Sequence, residues 1–142
     1  MSYRTRPLKF YEHFKDKPEE AKRVAFEIGR EMGREWKEQY NIQGDDLEAL
    51  AKLLNVAMEN VGSDPTARVE GDRVVMRNST FCVIMRTALS LNIPWEWLDV
   101  YYAWPWLEGI VSLIRPDIKM RIISTRSRGD KVCIHFFEIE RG

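Results

Sequence analysis

The chain has 142 residues, with 22 lysines and arginines balanced by 22 aspartates and glutamates. A nucleic-acid binder ordinarily shows a basic excess or stripe, so nucleic acid is not an expected partner. The length suits one domain able to bury about two-thirds of its unfolded surface without a metal or disulfide staple, and no apolar run is long enough for a membrane span.

Residues 1–16, with Tyr3, Phe10, Tyr11 and Phe14, read as an ordered arm lying on the domain. The start Met1-Ser2-Tyr3-Arg4-Thr5-Arg6 is not followed by the apolar core of a signal peptide. A cytoplasmic location is expected, with Cys82 and Cys133 reduced. Pro18-Glu19-Glu20 opens a helix over 18–40, since proline fits the first turn and acids suit its dipole. Its apolar stripe is Ala21, Val24, Ala25, Ile28, Met32, Trp36 and Tyr40. Gly29 and Gly33 lie one turn apart beside that stripe and point to another element packing against bare backbone. Asp45 or Asp46 caps a second helix with Leu47, Leu50, Leu54 and Met58 on its buried side, and Gly62 stops it. Strands 66–70 and 73–77 then form a hairpin around Gly71-Asp72.

Asn78 or Ser79 is placed to cap a third helix through Leu91, burying Phe81, Ile84, Met85 and Ala88, with Cys82 at the border. Pro94 and Glu96 start a fourth helical segment, which Pro105 should kink or split near Tyr101 to Trp104. A second hairpin, 117–125 with 131–140, closes the chain around Ser127-Arg128-Gly129-Asp130. Its last strand places Cys133, His135, Phe137 and Ile139 on one face and Val132, Ile134 and Phe136 on the other. A strand with two largely apolar faces is normally covered on both. The expected class is α+β: one compact domain, helices packed on an antiparallel sheet of two hairpins.

Three groups could carry chemistry. Trp95, Trp97, Tyr101, Tyr102, Trp104 and Trp106 form a dense aromatic run, with Trp97, Tyr101 and Trp104 sharing one side of a regular helix. Six such residues are more than a domain of this size is expected to bury, so some should meet a ligand or a partner chain, with ordinary core as the alternative. Asp99, inside this run, would gain general acid or base character if buried; otherwise it is a solvent-facing carboxylate. Cys133 and His135 stand about 7 Å apart on one strand face. They could serve as a nucleophile and its base, or as a packed thiol beside a core histidine. Zinc would need further ligands, and only Cys82 and His13 remain as soft donors, so no cofactor is expected. The arginines 4, 6, 121, 126 and 128 read as a solvated strand edge.

The order of elements, Gly29-x-x-x-Gly33, and the closing Gly129-Asp130-Lys131-Val132-Cys133-Ile134-His135-Phe136 resemble the vinyl-4-reductase (V4R) domain group. They also resemble the related family of L-2-amino-thiazoline-4-carboxylic acid hydrolase-like proteins. His135 stands where those families usually carry an aromatic. The resemblance implies a compact, often homodimeric α+β domain enclosing an apolar pocket for small aromatic or tetrapyrrole-like molecules. Some V4R domains bind zinc through a glutamate and cysteines before the final Cys. The corresponding stretch here, Met120 to Thr125, has neither, and only Cys133 matches.

The leading expectation is therefore a ligand sensor or carrier whose pocket is lined by Trp97, Tyr101, Trp104, Cys133, His135 and Phe137. The alternatives are a small hydrolase of a cyclic amide or thiazoline-type substrate, using Cys133 or Cys82 with His135 or Asp99, and a dimeric scaffold without a ligand.

Overall fold

The computed structural model describes residues 6–140; Tyr3 and Arg4 of the opening arm lie outside the described residues. Within the arm, helix α1 spans Pro7–Phe14, with proline in its first turn. Phe10 and Phe14 fall one turn apart and are buried. The Phe10 ring meets Tyr102 edge-on, centroids 4.9 Å apart, and Trp97 at 6.1 Å. Aromatic burial thus fastens the arm to the domain.

Helix α2, Pro18–Gln39, buries Ala21, Ala25, Ile28, Gly29 and Gly33. The glycine expectation has a direct physical basis. A Cβ on Gly29 would collide with the backbone carbonyl of Trp106, and a Cβ on Gly109 with that of Phe26. Gly33 admits Ile110 and Leu113. Two helices can approach backbone to backbone only where side chains are missing, and here the vacancies are reciprocal.

Asp46, rather than Asp45, caps helix α3, Leu47–Val61; its side chain accepts from the Ala49 amide at 2.9 Å. Gly62 ends α3 in the left-handed region, φ 71°. Strands β1, Thr66–Glu70, and β2, Arg73–Asn78, form the first hairpin. Strands β3, Ile118–Ser124, and β4, Cys133–Ile139, form the second. Pairing of β2 with β4 joins them into one antiparallel sheet of order β1-β2-β4-β3. Met76 lies opposite His135 and Asn78 opposite Cys133. The fold class is the expected α+β.

The sheet's inner face carries Ala67, Val74, Met76, His135 and Phe137 against the helices. Its outer face departs from the double cover expected of β4. Ile134 and Phe136 are half-buried there, and the Phe136 ring is flanked by the guanidinium groups of Arg73 and Arg121, 4.4 and 5.4 Å from its centroid. Arginine stems and cation–π contact supply the cover.

Helix α4, Val83–Leu91, begins later than expected, with Cys82 at its N-cap position and no side-chain cap. Asn78 is the last residue of β2, and its amide folds the following turn instead. It donates to the Phe81 carbonyl at 3.0 Å and accepts from the Thr80 amide at 3.1 Å. Of the expected stripe only Ala88 is fully buried; Phe81, Ile84 and Met85 are half-buried.

The aromatic segment neither breaks nor runs on as a regular helix. Helix α5, Trp95–Leu98, passes into a π-helical turn, Asp99–Ala103, and then into α6, Trp104–Val111. The Trp104 amide donates to the Asp99 carbonyl, five residues back. The change of register falls directly before Pro105, which has no N–H with which to continue the ladder.

Candidate functional site

A cavity of about 220 Å³ lies between the inner faces of β2 and β4 and the π turn with α6. Met58 and Val61 close it from α3, Ile84 and Thr87 from α4, and Pro7 from α1. Most of the wall is soft and apolar: Met32, Met58 and Met76, with Trp95, Tyr102, Trp104, Trp106 and Leu107. Unbranched methionines fit irregular shapes, which suits a space that has to adapt to a guest.

Part of the wall is polar. Asp99, Thr125, Cys82, Cys133 and His135 belong to it. Thr125 Oγ1 lies 3.4 Å from Asp99 Oδ2 as donor and 3.1 Å from Ser127 Oγ. Cys133 Sγ accepts from the Arg126 amide at 3.3 Å. The loop delivering these groups is folded by the Gly129-Asp130 pair: Gly129 takes φ 100°, and Asp130 Oδ2 accepts from the Thr125 amide at 2.9 Å. Outside, Arg128 pairs with Glu96 at 2.7 Å and sits 5.2 Å from the Trp104 ring centroid. Arg126 lies 5.9 Å from that of Trp95 and donates to the Thr80 carbonyl at 2.6 Å. Two of the five clustered arginines thus cover the aromatic wall. Arg121 pairs with Glu138 on the outer sheet face, Arg6 is exposed, and Arg4 lies outside the described residues.

Burial sets the electrostatics. Asp99 is 6 % exposed, and desolvation pushes its carboxyl up to about 6 against the opposing hydrogen bonds of Ser127 and Thr125 and the charge of Arg128. Desolvation brings His135 down to about 4, so its imidazole is neutral near pH 7. The Cys82 thiol is raised, again by burial. Among the described residues, two buried polar atoms, His135 Nδ1 and Trp95 Nε1, have no hydrogen-bond partner. Unpaired groups of this kind cost about 1–3 kcal/mol each.

The structure therefore brings together Asp99, Cys82, Cys133, His135 and Trp104, and leaves three expected pocket residues elsewhere. Trp97 packs on Tyr11 and Tyr101, with centroids 4.8 and 5.3 Å away. Tyr101 faces Lys22, whose ammonium lies 5.6 Å from the ring. The π turn explains the separation. It holds one residue more than an α turn, so Trp104 is rotated by roughly 100° from the side it would share with Trp97 and Tyr101 in a regular helix. Phe137 is fully buried in the main core, its ring 6.4 Å from that of His135. None of the six clustered aromatics is exposed, Trp106 being buried and the others half-buried; α1 covers part of the run, and Trp95, Tyr102, Trp104 and Trp106 line the cavity.

Thr125 and Ser127 were not singled out in the sequence. Their signal was their place just before Gly129-Asp130, since a turn that tight folds its preceding residues back onto a neighbour. The wall methionines carried no signal beyond helix and strand periodicity. Among the described residues, no hydrogen bond joins His135 to Cys82 or Cys133, and no three His, Cys, Asp or Glu side chains converge in a way that could hold a metal ion.

No family model matches this chain, and no curated protein matches it. Among solved structures it is similar to the crystal structure of an H-NOX protein from S. oneidensis in the Fe(II)NO ligation state. The TM-score is 0.46 at 13 % identity, covering 84 % of this chain and 66 % of that one. A superposition at that level assigns no role to any residue here. No helix among the described residues is long and apolar enough to cross a membrane.

Proposed function

We propose that the chain is a small-molecule-binding domain, a sensor or carrier, whose cavity beside Trp104, Cys133 and His135 takes one compact aromatic molecule. The observation that carries this reading is a largely apolar cavity with a buried acid, Asp99, in its wall. His135 and Trp95 also line it, and each has a buried ring nitrogen without a hydrogen-bond partner among the described residues.

Size narrows the guest. An apolar cavity of about 150 Å³ holds benzene, so 220 Å³ suits a substituted single ring or a fused bicycle. A tetrapyrrole, which the V4R resemblance would allow, is several times too large. The hydrolase reading has less support. Among the described residues no hydrogen bond joins its histidine to either thiol, and burial raises the Cys82 thiol. The homodimer also implied by the resemblance is part of this proposal and is tested separately by light scattering.

Binding of naphthalene-sized neutral probes tests the reading directly. Trp104 and Trp106 line the cavity, so intrinsic fluorescence should change, and a ligand at 100 times its Kd should stabilise the fold by about 2.7 kcal/mol. A broad set of such probes that moves neither fluorescence nor melting temperature removes the proposal.

A further inference from the structure

Resting on that reading, we infer that the guest is an organic cation: a compact arylalkylamine whose protonated nitrogen meets the Asp99 carboxylate while its ring lies among Tyr102, Trp104 and Trp106. Asp99 is the acid lining this cavity, and its hydrogen-bond partner is the Thr125 hydroxyl, a neutral donor that in turn meets Ser127. Among the described residues no ion pair includes it. Arg128, the cation on the same loop, is drawn away to Glu96 at the surface, both half-exposed. Arg77, also in the lining, is held bidentately by Glu70. A buried carboxylate whose nearest cation, Arg128, acts on it without pairing is costly, and an ammonium entering the cavity supplies a direct partner.

The remaining walls suit a cation as well. Tryptophan and tyrosine faces attract one within about 6 Å of the ring. His135, 7 % exposed, lines the same cavity, and its imidazole nitrogen without a proton is an acceptor. The other titratable groups around Asp99 are Glu96 on its own helix, Cys82 at the start of α4 and Cys133 on β4. None of them is a cation. A guest bearing a carboxylate, as the thiazoline substrate of the hydrolase reading does, would meet like charge at Asp99.

Three isosteres separate the possibilities: 1-naphthylmethylamine, 1-naphthylmethanol and 1-naphthoate, titrated calorimetrically into the full chain near pH 7.5. A charge-assisted hydrogen bond predicts the amine binding about ten- to a hundredfold tighter than the alcohol, and the carboxylate weakest. Asp99→Asn should abolish the amine's advantage while keeping alcohol binding, which also shows that the variant folds. Lowering the pH to about 5 should erode the same advantage in the unaltered chain, because Asp99 then takes up a proton. Alcohol and amine binding equally, or the variant keeping the preference, overturns the cation inference and leaves the cavity reading standing. If none of the three binds, both fall.

Discussion

Replacing Asp99 by asparagine should stabilise the fold, by an amount that depends on pH in a defined direction. The carboxyl moves from 3.8 to about 6 on folding, about two pKa units at 1.36 kcal/mol each, or roughly 3 kcal/mol. The folded chain holds this proton more tightly than the unfolded chain, so ionisation works against folding. The penalty is absent below about pH 4, grows between 4 and 6, and is complete above 6. Asparagine never ionises and can still meet the hydroxyl of Thr125. The stability difference, variant minus parent, should therefore rise by up to about 3 kcal/mol between pH 4 and 7. His135 acts in the opposite sense over nearly the same window. Its folded value near 4 lies below the ordinary 6.5, so its contribution is complete above 6.5 and is lost as pH falls toward 4. In the parent the two slopes largely offset each other, and the Asp99→Asn variant should uncover the histidine's slope as a gain with rising pH. Urea denaturation of both proteins at half-unit pH steps and constant ionic strength measures the difference. A difference that is flat, or that falls with pH, would refute the burial of Asp99 as an unpaired acid.

Alanine at Gly29 or Gly109 should cost several kcal/mol or prevent folding, because each new methyl group meets backbone of the facing helix. Alanine at Gly33 should cost much less, since the Leu113 side chain at 2.9 Å can turn aside; denaturant midpoints compare the three. Asp46→Ala should lose about 1 kcal/mol with the cap of α3, seen in thermal melts. Cys82 should alkylate more slowly than a free thiol near neutral pH, because burial disfavours its thiolate. Mass spectrometry that finds it faster instead would revive the nucleophilic reading.

Much of this architecture is legible in the residues because each signal is local. Pro18 and the acids behind it start α2 and Gly62 stops α3, where one residue type has one physical reason to stand. The glycine pair of α2 foretold a close neighbour. It did not say which, because the partner, Gly109, lies in a segment whose own periodicity is dominated by tryptophan. The start of α4 was misplaced because Asn78 is equally suited to capping a helix and to folding a turn. That choice is made by the strand pairing of Asn78 with Cys133, which is non-local. The cover on β4 failed for a related reason: arginines from β2 and β3 shield Phe136, and nothing in β4 itself records their arrival.

The site was less legible because its geometry depends on one extra residue in a helical turn. Periodicity at 3.6 residues groups Trp97, Tyr101 and Trp104, and makes Asp99 equally suited to water or core. The π turn changes both outcomes together. It turns Trp104 toward the cavity, leaves Trp97 and Tyr101 with α1 and α2, and begins at Asp99, which it holds 6 % exposed. Its cause is readable after the fact: Pro105 cannot extend an α ladder, and a longer turn ahead of it absorbs the mismatch. Pro105→Ala should therefore weaken the reason for the wide turn. If the turn positions Asp99, that substitution should move the acid's titration back toward 3.8 and lower the preference for an amine guest, with the alcohol isostere less affected. Carbon-detected NMR of the Asp99 carboxyl in both proteins reads the shift, and an unchanged titration would separate the acid's burial from the proline.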